Sequence, residues 1–512
     1  MSLVQMFIYM TLKTNKFVKI KNKESSMNKK SNQPRPVTIM VSCIFIATLL
    51  LIALRVISYG YIPSDDVMRH VAKVVSGKSW GEILVLRPEI TMDSHVGWHK
   101  LLEFLYQMTG CSIDNLAVFS IVFLFILFCI VPLFFLKRPE AWLIALLIIW
   151  VANYFALMRI FLGRPYIFTM AVVVFLGFVW PRFKEKSIPW PSVMILTALI
   201  ALATWIHCLW YMFALPVLCF FVAREWRAGF VVSGCAIAGV VIGMLMTGHP
   251  IQFFLQTMGH FFHSLGDHTF TGQLVTEFQP FNGDVVVVMV VLGMLGWRAF
   301  RNSWDLKAIY TPVFILAAVS WVLGFLVLRV WVDWGIPAVC VWMALEFEEY
   351  LKISMDSSSW KRAGLTLAIA CILFIAVTND YRGRWTQNMM YVQYLSADKP
   401  EHKKWLPEKG GIVYNDDMMI FYETFYSNPH ADWRYILGFE PTMMPPGDLA
   451  VLRKIQWFYG ASEAYEPWVK KMRPEDRLIL RRHSMPDIKE LEWNLTVPGV
   501  WIGRLPKQKP PL

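Results

Sequence analysis

Long apolar runs constrain this chain more than any other feature of its sequence. The first extends from Val37 to Ile57 and contains one charged residue, Arg55. A helix of about 20 such residues crosses the hydrocarbon core of a bilayer and satisfies its backbone hydrogen bonds internally. Ten further runs, several of them short, cover residues 116–136, 141–157, 165–180, 190–206, 208–223, 229–247, 284–297, 309–328, 335–348 and 363–379. The pattern predicts a polytopic α-helical membrane protein with about 11 transmembrane helices.

The composition agrees with a membrane location and excludes several other classes. Only 17% of the 512 residues are charged and 56% are hydrophobic, whereas a soluble domain has about 25% charged residues. The net charge of +12 does not indicate nucleic acid, because Lys and Arg lie in short clusters between apolar runs. The eight cysteines form neither a CxxC metal motif nor a disulfide framework.

The basic residues predict how the chain is oriented in the membrane. The first 36 residues contain eight Lys or Arg, and alternate turns between the apolar runs contain 13 more. Such clusters stay in the cytoplasm. We therefore predict a multi-pass protein of the inner (cytoplasmic) membrane, with a cytoplasmic tail of residues 1–36 and a transmembrane domain of residues 37–380. An amphipathic outer loop of residues 59–115, an outer loop of residues 249–283 and an extracytoplasmic domain of residues 381–512 face the other side.

An acidic pair opens the first outer loop. Pro63 prevents the preceding helix from continuing, Ser64 favours an N-cap, and Asp65 and Asp66 would then occupy the first turn of an amphipathic helix on the membrane surface. Two interpretations remain open. Acids in a first turn stabilise a helix by capping and through its dipole. They also serve as a general base, or bind a divalent cation such as Mg²⁺ or Mn²⁺.

Three arginines lie at predicted outer helix ends. Arg159 and Arg164 flank the turn between the third and fourth runs, and Arg329 precedes Asp333 by one helical turn. Guanidinium groups at this depth can bind the phosphate of a lipid substrate. The alternatives are that they extend to the membrane surface, or that Arg329 pairs with Asp333.

The outer histidines are further candidates for the site. His95 and His99 have the i, i+4 spacing of metal ligands, but no third ligand is assured and the metal stays unknown. We predict that His207, His263 and His99 line the site. The Phe-rich 249–283 loop has no Lys or Arg and is predicted to rest on the bilayer and control access for a lipid-borne substrate. Its one glutamate, Glu277, is predicted to be exposed and is a candidate second carboxylate.

The sequence after the last apolar run alternates between strand and helix patterns, which predicts a small α/β domain. The predicted strands are 411–415, 433–437, 477–480 and 500–503, and the predicted helices are 418–426 and 448–459. Asp416 and Asp417 are predicted to cap the helix that follows them. The domain lacks GxGxxG and P-loop motifs, so nothing indicates nucleotide binding.

The first apolar run, Val37 to Ile57, is predicted to be a signal anchor, and an outer loop with an acidic pair and interfacial helices follows it. This order resembles the GT-C class of membrane glycosyltransferases. The segments Asn415-Asp-Asp417, Phe425-Tyr-Ser-Asn-Pro429 and Ile436-Leu-Gly-Phe-Glu-Pro441 are similar to the tails of bacterial GT-C-like proteins. Those tails carry Trp where this chain has Met418, and Leu-Asp where it has Phe439-Glu440.

The resemblance implies a GT-C-like transmembrane domain and transfer of a sugar from a polyprenyl-phosphate donor on the extracytoplasmic face. The acceptor hydroxyl would belong to a glycan, a lipid or a protein. The resemblance implies Asp65 or Asp66 as general base, and an arginine among Arg164, Arg329 and Arg159 as donor-phosphate ligand.

Two alternatives stay open in the sequence. One is an O-antigen-type polymerase or ligase, which shares the lipid donor. The other is a non-catalytic protein such as a transporter, flippase or assembly scaffold. The predicted spans are nearly free of charge and the two halves show no inverted repeat, which disfavours a transporter.

Overall fold

The computed structural model describes residues 36–266, 276–281, 283–302, 309–387 and 394–506, except for the side chains of residues 263–266, 276 and 302. The helices of the first part are α1 (Pro36–Ser58), α2 (Asp66–Ser76), α3 (Trp80–Ile83), α4 (Val96–Thr109), α5 (Ile113–Ile130), α6 (Glu140–Ala152), α7 (Tyr154–Ile160), α8 (Tyr166–Val179), α9 (Trp190–Ile206), α10 (Ala214–Val222), α11 (Trp226–Met246), α12 (Pro250–Gly266), α13 (Val285–Asn302), α14 (Pro312–Gly324), α15 (Ile336–Ser354) and α16 (Trp360–Thr378). Short 3₁₀, α or π turns lie at Val131–Phe134, Trp180–Lys184, Trp210–Phe213, Thr276–Phe278, Leu328–Val330, Trp331–Gly335 and Tyr381–Gly383.

Six described helices are long and apolar enough to cross a bilayer: Pro36–Ser58, Ile113–Phe134, Tyr166–Lys184, Trp226–Met246, Leu328–Ser354 and Trp360–Thr378. The bent pair α6–α7 would raise this number to seven. Three further apolar helices, Trp190–Ile206, Trp210–Val222 and Pro312–Gly324, have 10–17 residues, fewer than the roughly 20 that a straight span needs. The predicted number of about 11 spans is therefore not confirmed.

The bend between α6 and α7 occurs at Asn153. This residue is extended, with φ −128° and ψ 93°, and its side chain caps α7 by accepting a hydrogen bond from the Ala156 backbone N–H at 2.8 Å. Because asparagine readily replaces the helical hydrogen-bond pattern in this way, the predicted span 141–157 divides into two helices at 115°. The bend places Arg159, near the end of α7, beside the start of α8.

Close packing in the membrane part depends on small residues. The central helix α8 buries 13 of its 14 residues. On α11, Gly239 and Gly243 approach α9 so closely that a Cβ atom at either position would collide with Ile200 or Thr204. Small residues allow helix backbones to approach in this way in apolar surroundings.

The C-terminal part is a small α/β domain, as the sequence predicts. It contains α17 (Pro400–Lys403), β1 (Ile412–Asn415), α18 (Met418–Ser427), β2 (Arg434–Tyr435), α19 (Pro446–Trp457), α20 (Glu466–Lys471), β3 (Arg477–Arg481), β4 (Glu492–Val497) and β5 (Val500–Arg504). The sheet order is β2-β1-β3-β5-β4, with β1 parallel to β2 and β3, and β5 antiparallel to β3 and β4. Asp417 caps α18 by accepting from the Met419 N–H at 2.9 Å, which confirms its predicted capping role.

The C-terminal domain is attached to the first outer loop. Leu84 forms a parallel bridge with Tyr435, and the Val85 N–H donates to the Tyr435 carbonyl at 2.9 Å. The Tyr422 hydroxyl donates to Oδ1 of Asp66 at 3.1 Å. These contacts place the acidic pair and the C-terminal domain on the same side of the helices, so the domain helps to enclose whatever site the acidic pair belongs to.

A buried ion pair and a neighbouring backbone hydrogen bond together join three apolar helices. Arg362 on α16 donates from Nε and Nη2 to the two carboxylate oxygens of Glu140 on α6, at 2.7 and 3.0 Å. The Lys137 backbone N–H, just before α6, donates to Glu348 on α15 at 2.7 Å. Glu140 is 0% and Arg362 1% exposed, so neither charge has water as an alternative partner.

We expect Glu140→Gln to lower the free energy of unfolding by about 3–5 kcal/mol, because it leaves a buried guanidinium without its counter-charge. Reversible unfolding in detergent micelles would measure the change. The exposed Glu408 lies 3.9 Å from the buried Arg477, which also donates to backbone carbonyls. It supplies the control Glu408→Gln, which should cost less than about 1 kcal/mol because the exposed carboxylate keeps water as a partner. Equal losses in the two variants would contradict the structural importance of the buried pair.

Candidate active site

One large cavity of about 1890 Å³ lies between the helix ends, the first outer loop, α12 and the C-terminal domain. Its polar lining includes Asp65, Asp66, Arg69, His95, Arg159, Arg164, Tyr166, His207, His260, Glu277, Arg329, Asp417, Tyr422 and Glu440. Its apolar lining includes Phe155, Met158, Leu162, Leu209, Met212, Leu215, Leu218, Ile251, Leu255, Leu323, Leu326 and Val330. The cavity therefore combines a charged part with an apolar part.

The acidic pair sits at the start of α2, but with a different cap from the one predicted. Asp65 rather than Ser64 is the N-cap, with extended φ and ψ angles of −154° and −170°, and its Oδ1 accepts from the Asp66 N–H at 2.5 Å. Capping and a functional role are not exclusive here, because both carboxylates also line the cavity.

Arg164 binds the acidic pair from the loop before α8. Its Nε and Nη2 donate to Oδ1 and Oδ2 of Asp65 at 2.5 and 2.8 Å, and Nε lies 3.4 Å from Oδ2 of Asp66. Its Nη1 donates to Oε1 of Glu277. All three nitrogens of this guanidinium are therefore used by carboxylates.

Arg159 is buried beside Arg164, and each of its three nitrogens also donates to a carboxylate. Its Nε and Nη2 donate to the two oxygens of Asp333 at 2.7 and 3.1 Å, and Nη1 donates to Oε1 of Glu277 at 2.7 Å. The guanidinium carbon lies 4.2 Å from the centre of the Tyr166 ring, whose hydroxyl donates to the Arg159 carbonyl at 3.0 Å. Arg159 thus has a fixed position, with a carboxylate oxygen on each of its three nitrogens.

Arg329 is the most open of the three predicted arginines. Its Nε donates to Oδ2 of Asp333 at 3.1 Å, and its Nη2 lies 3.3 Å from Nε2 of His207. Oε2 of Glu277 is 3.8 Å from its Nε. Part of the guanidinium faces the cavity, so Arg329 can bind an anion there without releasing a carboxylate.

Glu277 links all of these arginines and corrects one prediction. The sequence predicts an exposed glutamate, but Glu277 is only 6% exposed, because Arg159, Arg164 and Arg329 surround it. Burial alone would raise its pKa, yet Arg159 and Arg164 outweigh burial and hold the pKa well below 4.5. Glu277 is therefore an ionised bridge between separate segments of the chain.

The two aspartates have different electrostatic environments. Burial raises the pKa of Asp65 above its usual 3.8, although Arg164 opposes the shift. Burial also acts on Asp66, but Arg69 and Arg164 outweigh it and keep the pKa of Asp66 below 3.8. When the pKa values of two neighbouring carboxyl groups differ in this way, one group can exchange a proton while the other stays charged.

The predicted histidines are divided between the cavity wall and the layer behind it. His207 lines the cavity, and burial together with Arg329 lowers its pKa well below 6.5, so it is neutral. His99 lies behind the wall, where its Nδ1 contacts Asp93 and its Nε2 is 2.8 Å from Nδ1 of His70. The side chain of His263 lies outside the described part of the chain.

The side chains do not fit a metal site. Among the described residues there is no group of three or more His, Cys, Asp or Glu that could hold a metal ion. Both ring nitrogens of His99 have partners, so it is not free to join His95 as a ligand. Guanidinium groups bind the cavity carboxylates Asp65, Asp66 and Glu277, and a divalent cation would have to displace them.

Several residues at the cavity were not predicted. Arg69 donates from Nε to Oδ1 of Asp66 at 2.6 Å, and its i, i+3 spacing to Asp66 is a signal that could have revealed it. Tyr422, Phe439 and Glu440 come from the C-terminal domain. They are separated from Asp66 by more than 350 residues, and no local pattern connects such distant positions.

Helix α12 forms one wall of the cavity and is attached at two places. Oε1 of Gln256 accepts from the backbone N–H groups of Thr91 and Met92 at 3.1 and 2.9 Å. Nε2 of His260 lies 2.9 Å from Oε1 of Glu440. The predicted 249–283 loop is thus a helix over Pro250–Gly266, and residues 267–275 lie outside the described residues.

Comparison with solved structures identifies the fold. The chain matches the cryo-EM structure of arabinofuranosyltransferase AftD from Mycobacteria with a TM-score of 0.53 and 12% sequence identity, over 91% of this chain and 40% of that chain. This chain has a GT-C-like fold. The GT-C-like part of the predicted fold is thereby confirmed, whereas the predicted number of spans is not. With its long apolar helices the chain is a multi-pass membrane protein.

The GT-C-like chain spans about two fifths of the length of AftD. A second match is the oligosaccharyltransferase of Archaeoglobus fulgidus tethered to an acceptor peptide, with a TM-score of 0.46 and 11% identity over 85% of this chain and 68% of that one. A score this low supports no inference about this chain. No protein-family model matches the sequence, and no curated protein matches it.

The attachment of α12 to the C-terminal domain should depend on pH. Burial would lower the pKa of His260, but Glu440 outweighs burial and raises it above 6.5; His260 in turn holds the pKa of Glu440 below 4.5. The stabilisation by His260 is complete below pH 6.5 and is lost as pH rises through its raised pKa. The stabilisation by Glu440 is complete above pH 4.5.

We therefore expect amide hydrogen exchange in α12, corrected for the intrinsic rate, to show easier opening at pH 8.5 than at pH 6. In the Glu440→Gln variant, α12 should open as easily at pH 6 as it does in the wild type at pH 8.5. The control Glu492→Gln alters a pair with Arg504 at 3.0 Å, away from α12, and should keep the wild-type pH dependence. A pH dependence that survives in Glu440→Gln would contradict this assignment.

Proposed function

We propose that this chain is a membrane glycosyltransferase that transfers a sugar from a polyprenyl-phosphate donor to an acceptor hydroxyl on the extracytoplasmic face. One observation carries the proposal: the acidic pair and the three outer arginines converge on a single cavity that has both a charged part and an exposed apolar rim. A GT-C-like fold agrees with this activity, while the donor and the residue roles rest on the cavity alone.

The apolar rim supports a lipid donor. Four side chains line the cavity and are also largely exposed on the outer surface of the protein: Leu218, Ile251, Leu255 and Leu326. Exposed apolar side chains at an opening between membrane helices suit a hydrocarbon chain that remains partly in the bilayer. A polyprenyl chain would occupy this opening while its phosphate reached the charged part.

We assign the donor phosphate to Arg329, supported by Arg164 and Arg159. Arg329 follows the rim residue Leu326 by three positions and keeps part of its guanidinium in the cavity. Arg164 and Arg159 are bound by carboxylates, so their role is to hold Asp65, Glu277 and the Arg329 segment in place. Fixed positive groups next to a departing phosphate stabilise the charge that develops on it.

The reaction that fits these positions is a single in-line displacement. Asp65, whose pKa burial raises, accepts the proton of the acceptor hydroxyl while the oxygen attacks the anomeric carbon. The bond between that carbon and the phosphate oxygen breaks, and the lipid phosphate leaves with the electron pair beside Arg329. Asp66 stays ionised and orients the acceptor. One displacement inverts the anomeric configuration.

We expect Asp65→Asn to reduce kcat for sugar transfer by about 10²–10⁴-fold, the usual contribution of a general base, with little change in donor binding. The wild-type rate should fall on acidification with an apparent pKa above 3.8, because a base with a raised pKa takes up its proton at a higher pH than an ordinary aspartate does. Asp66→Asn should lower the rate, but the rate of this variant should still fall on acidification as it does in the wild type. A polyprenyl-phosphate sugar and membrane extracts as acceptor source provide the assay.

The exposed aspartate Asp398 lies on the same side of the protein, so Asp398→Asn is the control and should retain full activity. Unchanged transfer in both Asp65→Asn and Asp66→Asn would refute the assignment of the base to the acidic pair.

We expect Arg329→Gln to weaken polyprenyl-phosphate binding by about tenfold or more, because a hydrogen bond to a charged group is worth roughly 1.5–3 kcal/mol. Binding to protein in nanodiscs would be measured without any acceptor. Arg382→Gln removes an exposed outer arginine that does not line the cavity and should bind normally. Equal binding in Arg329→Gln and the wild type would place the phosphate elsewhere.

A further inference from the structure

Arg69 is a cavity arginine that uses little of its hydrogen-bonding capacity. It is only 3% exposed, and within the described part of the chain it makes one hydrogen bond, from Nε to Asp66 at 2.6 Å. Its Nη1 is buried and has no partner among the described residues. A buried donor without a partner costs about 1–3 kcal/mol, and more when it is charged. Such a group is an indication of a missing ligand.

The neighbours of Arg69 leave one side of the guanidinium available. Its carbon lies 3.8 Å from the centre of the Phe439 ring, which covers one face, and Asp66 takes the Nε position. The Trp80 ring centre is 6.0 Å away. What remains is the edge formed by Nη1 and Nη2, whose parallel N–H groups match the two oxygens of a carboxylate or phosphate better than a single hydroxyl.

This edge lies away from the apolar rim of the cavity. Phe439 precedes Glu440, which pairs with His260 on α12. His260 follows the rim residues Ile251 and Leu255 by nine and five positions, about 14 and 8 Å along a helix. Arg69 is therefore on the side covered by the C-terminal domain, whereas Arg329 is three residues from the rim residue Leu326. Both arginines are near enough to Glu440 to lower its pKa, so the two positions are neighbours within one cavity. A lipid phosphate beside Arg329 would leave the Arg69 edge to the second substrate.

We propose that Arg69 binds a carboxylate or phosphate group of the acceptor, so that the enzyme selects an anionic acceptor rather than a neutral one. Phe439 holds the guanidinium flat, and the C-terminal domain closes the subsite. That the bound anion is the acceptor rests on the proposed function, whereas the binding of an anion by Arg69 does not depend on it. Asp66 connects the anion site to the proposed base. It accepts a hydrogen bond from Arg69 and is the neighbour of Asp65 in the chain, so an acceptor bound to Arg69 would lie next to Asp65.

Binding to the full chain in nanodiscs tests this proposal with three probes of similar size: glucuronate, glycerol 3-phosphate and glucose. The wild type should bind one or both anions at least tenfold more tightly than glucose. Arg69→Lys keeps the charge but loses the paired N–H edge, so anion binding should weaken at least tenfold. Phe439→Leu keeps Arg69 but removes the covering ring, and should weaken anion binding to a smaller extent.

Arg477 supplies the matched control, because it is also 3% exposed but donates to backbone carbonyls inside the C-terminal domain. Arg477→Lys should leave anion binding unchanged. The proposal is wrong if no anion binds the wild type, if glucose binds as tightly as the anions, or if folded Arg69→Lys and Phe439→Leu both bind anions like the wild type.

Polyprenyl phosphate, used as a fourth probe, separates this proposal from the proposed function. It should bind Arg69→Lys and the wild type equally. Weaker binding of the lipid to Arg69→Lys would assign the anionic group to the donor and overturn the acceptor subsite. Failure of the wild type to bind the lipid at all would overturn the lipid donor, while the response of the anions to Arg69→Lys would still decide the anion site.

Discussion

The structure of the cavity depends on a network in which carboxylates and guanidinium groups neutralise one another. Four acids, Asp65, Asp66, Glu277 and Asp333, contact four arginines, Arg69, Arg159, Arg164 and Arg329. A single unpaired charge at this depth costs several kcal/mol, whereas a complete set of pairs is tolerated. The network therefore allows the chain to hold eight charges around one cavity at the ends of its apolar helices.

The same network fixes the relative positions of segments that are far apart in the chain. Glu277 binds Arg159 and Arg164 from the two sides of the turn between α7 and α8, and Asp333 binds Arg159 and Arg329. The π-helical turn Trp331–Gly335 contains Asp333, and such turns often occur at functional positions. Groups held in this way need little reorganisation during a reaction, which is the condition for electrostatic stabilisation of a transition state.

The cavity has two ends with different chemistry. The apolar rim and Arg329 suit a lipid phosphate, and the end under the C-terminal domain presents Arg69, Phe439 and the His260–Glu440 pair. The acidic pair belongs to the first outer loop, which contacts both the membrane helices and the C-terminal domain. The group transfer that we propose, from a membrane-bound donor to an acceptor outside the bilayer, would require such a meeting point.

The sequence alone was sufficient to predict a GT-C-like fold and a C-terminal part in which strands and helices alternate, because hydrophobic runs, strand and helix periodicity and caps are local properties. It was not sufficient for the number of spans, since apolar runs do not reveal where Asn153 breaks a helix or how short α14 becomes. The partners of each charge were decided only by the tertiary structure. Glu277 is buried because three arginines surround it, and these lie 52 to 118 positions away in the sequence. Arg69 contacts Asp66 within its own helix, but the ring of Phe439 that covers its guanidinium lies 370 positions away. No local pattern encodes such distant contacts.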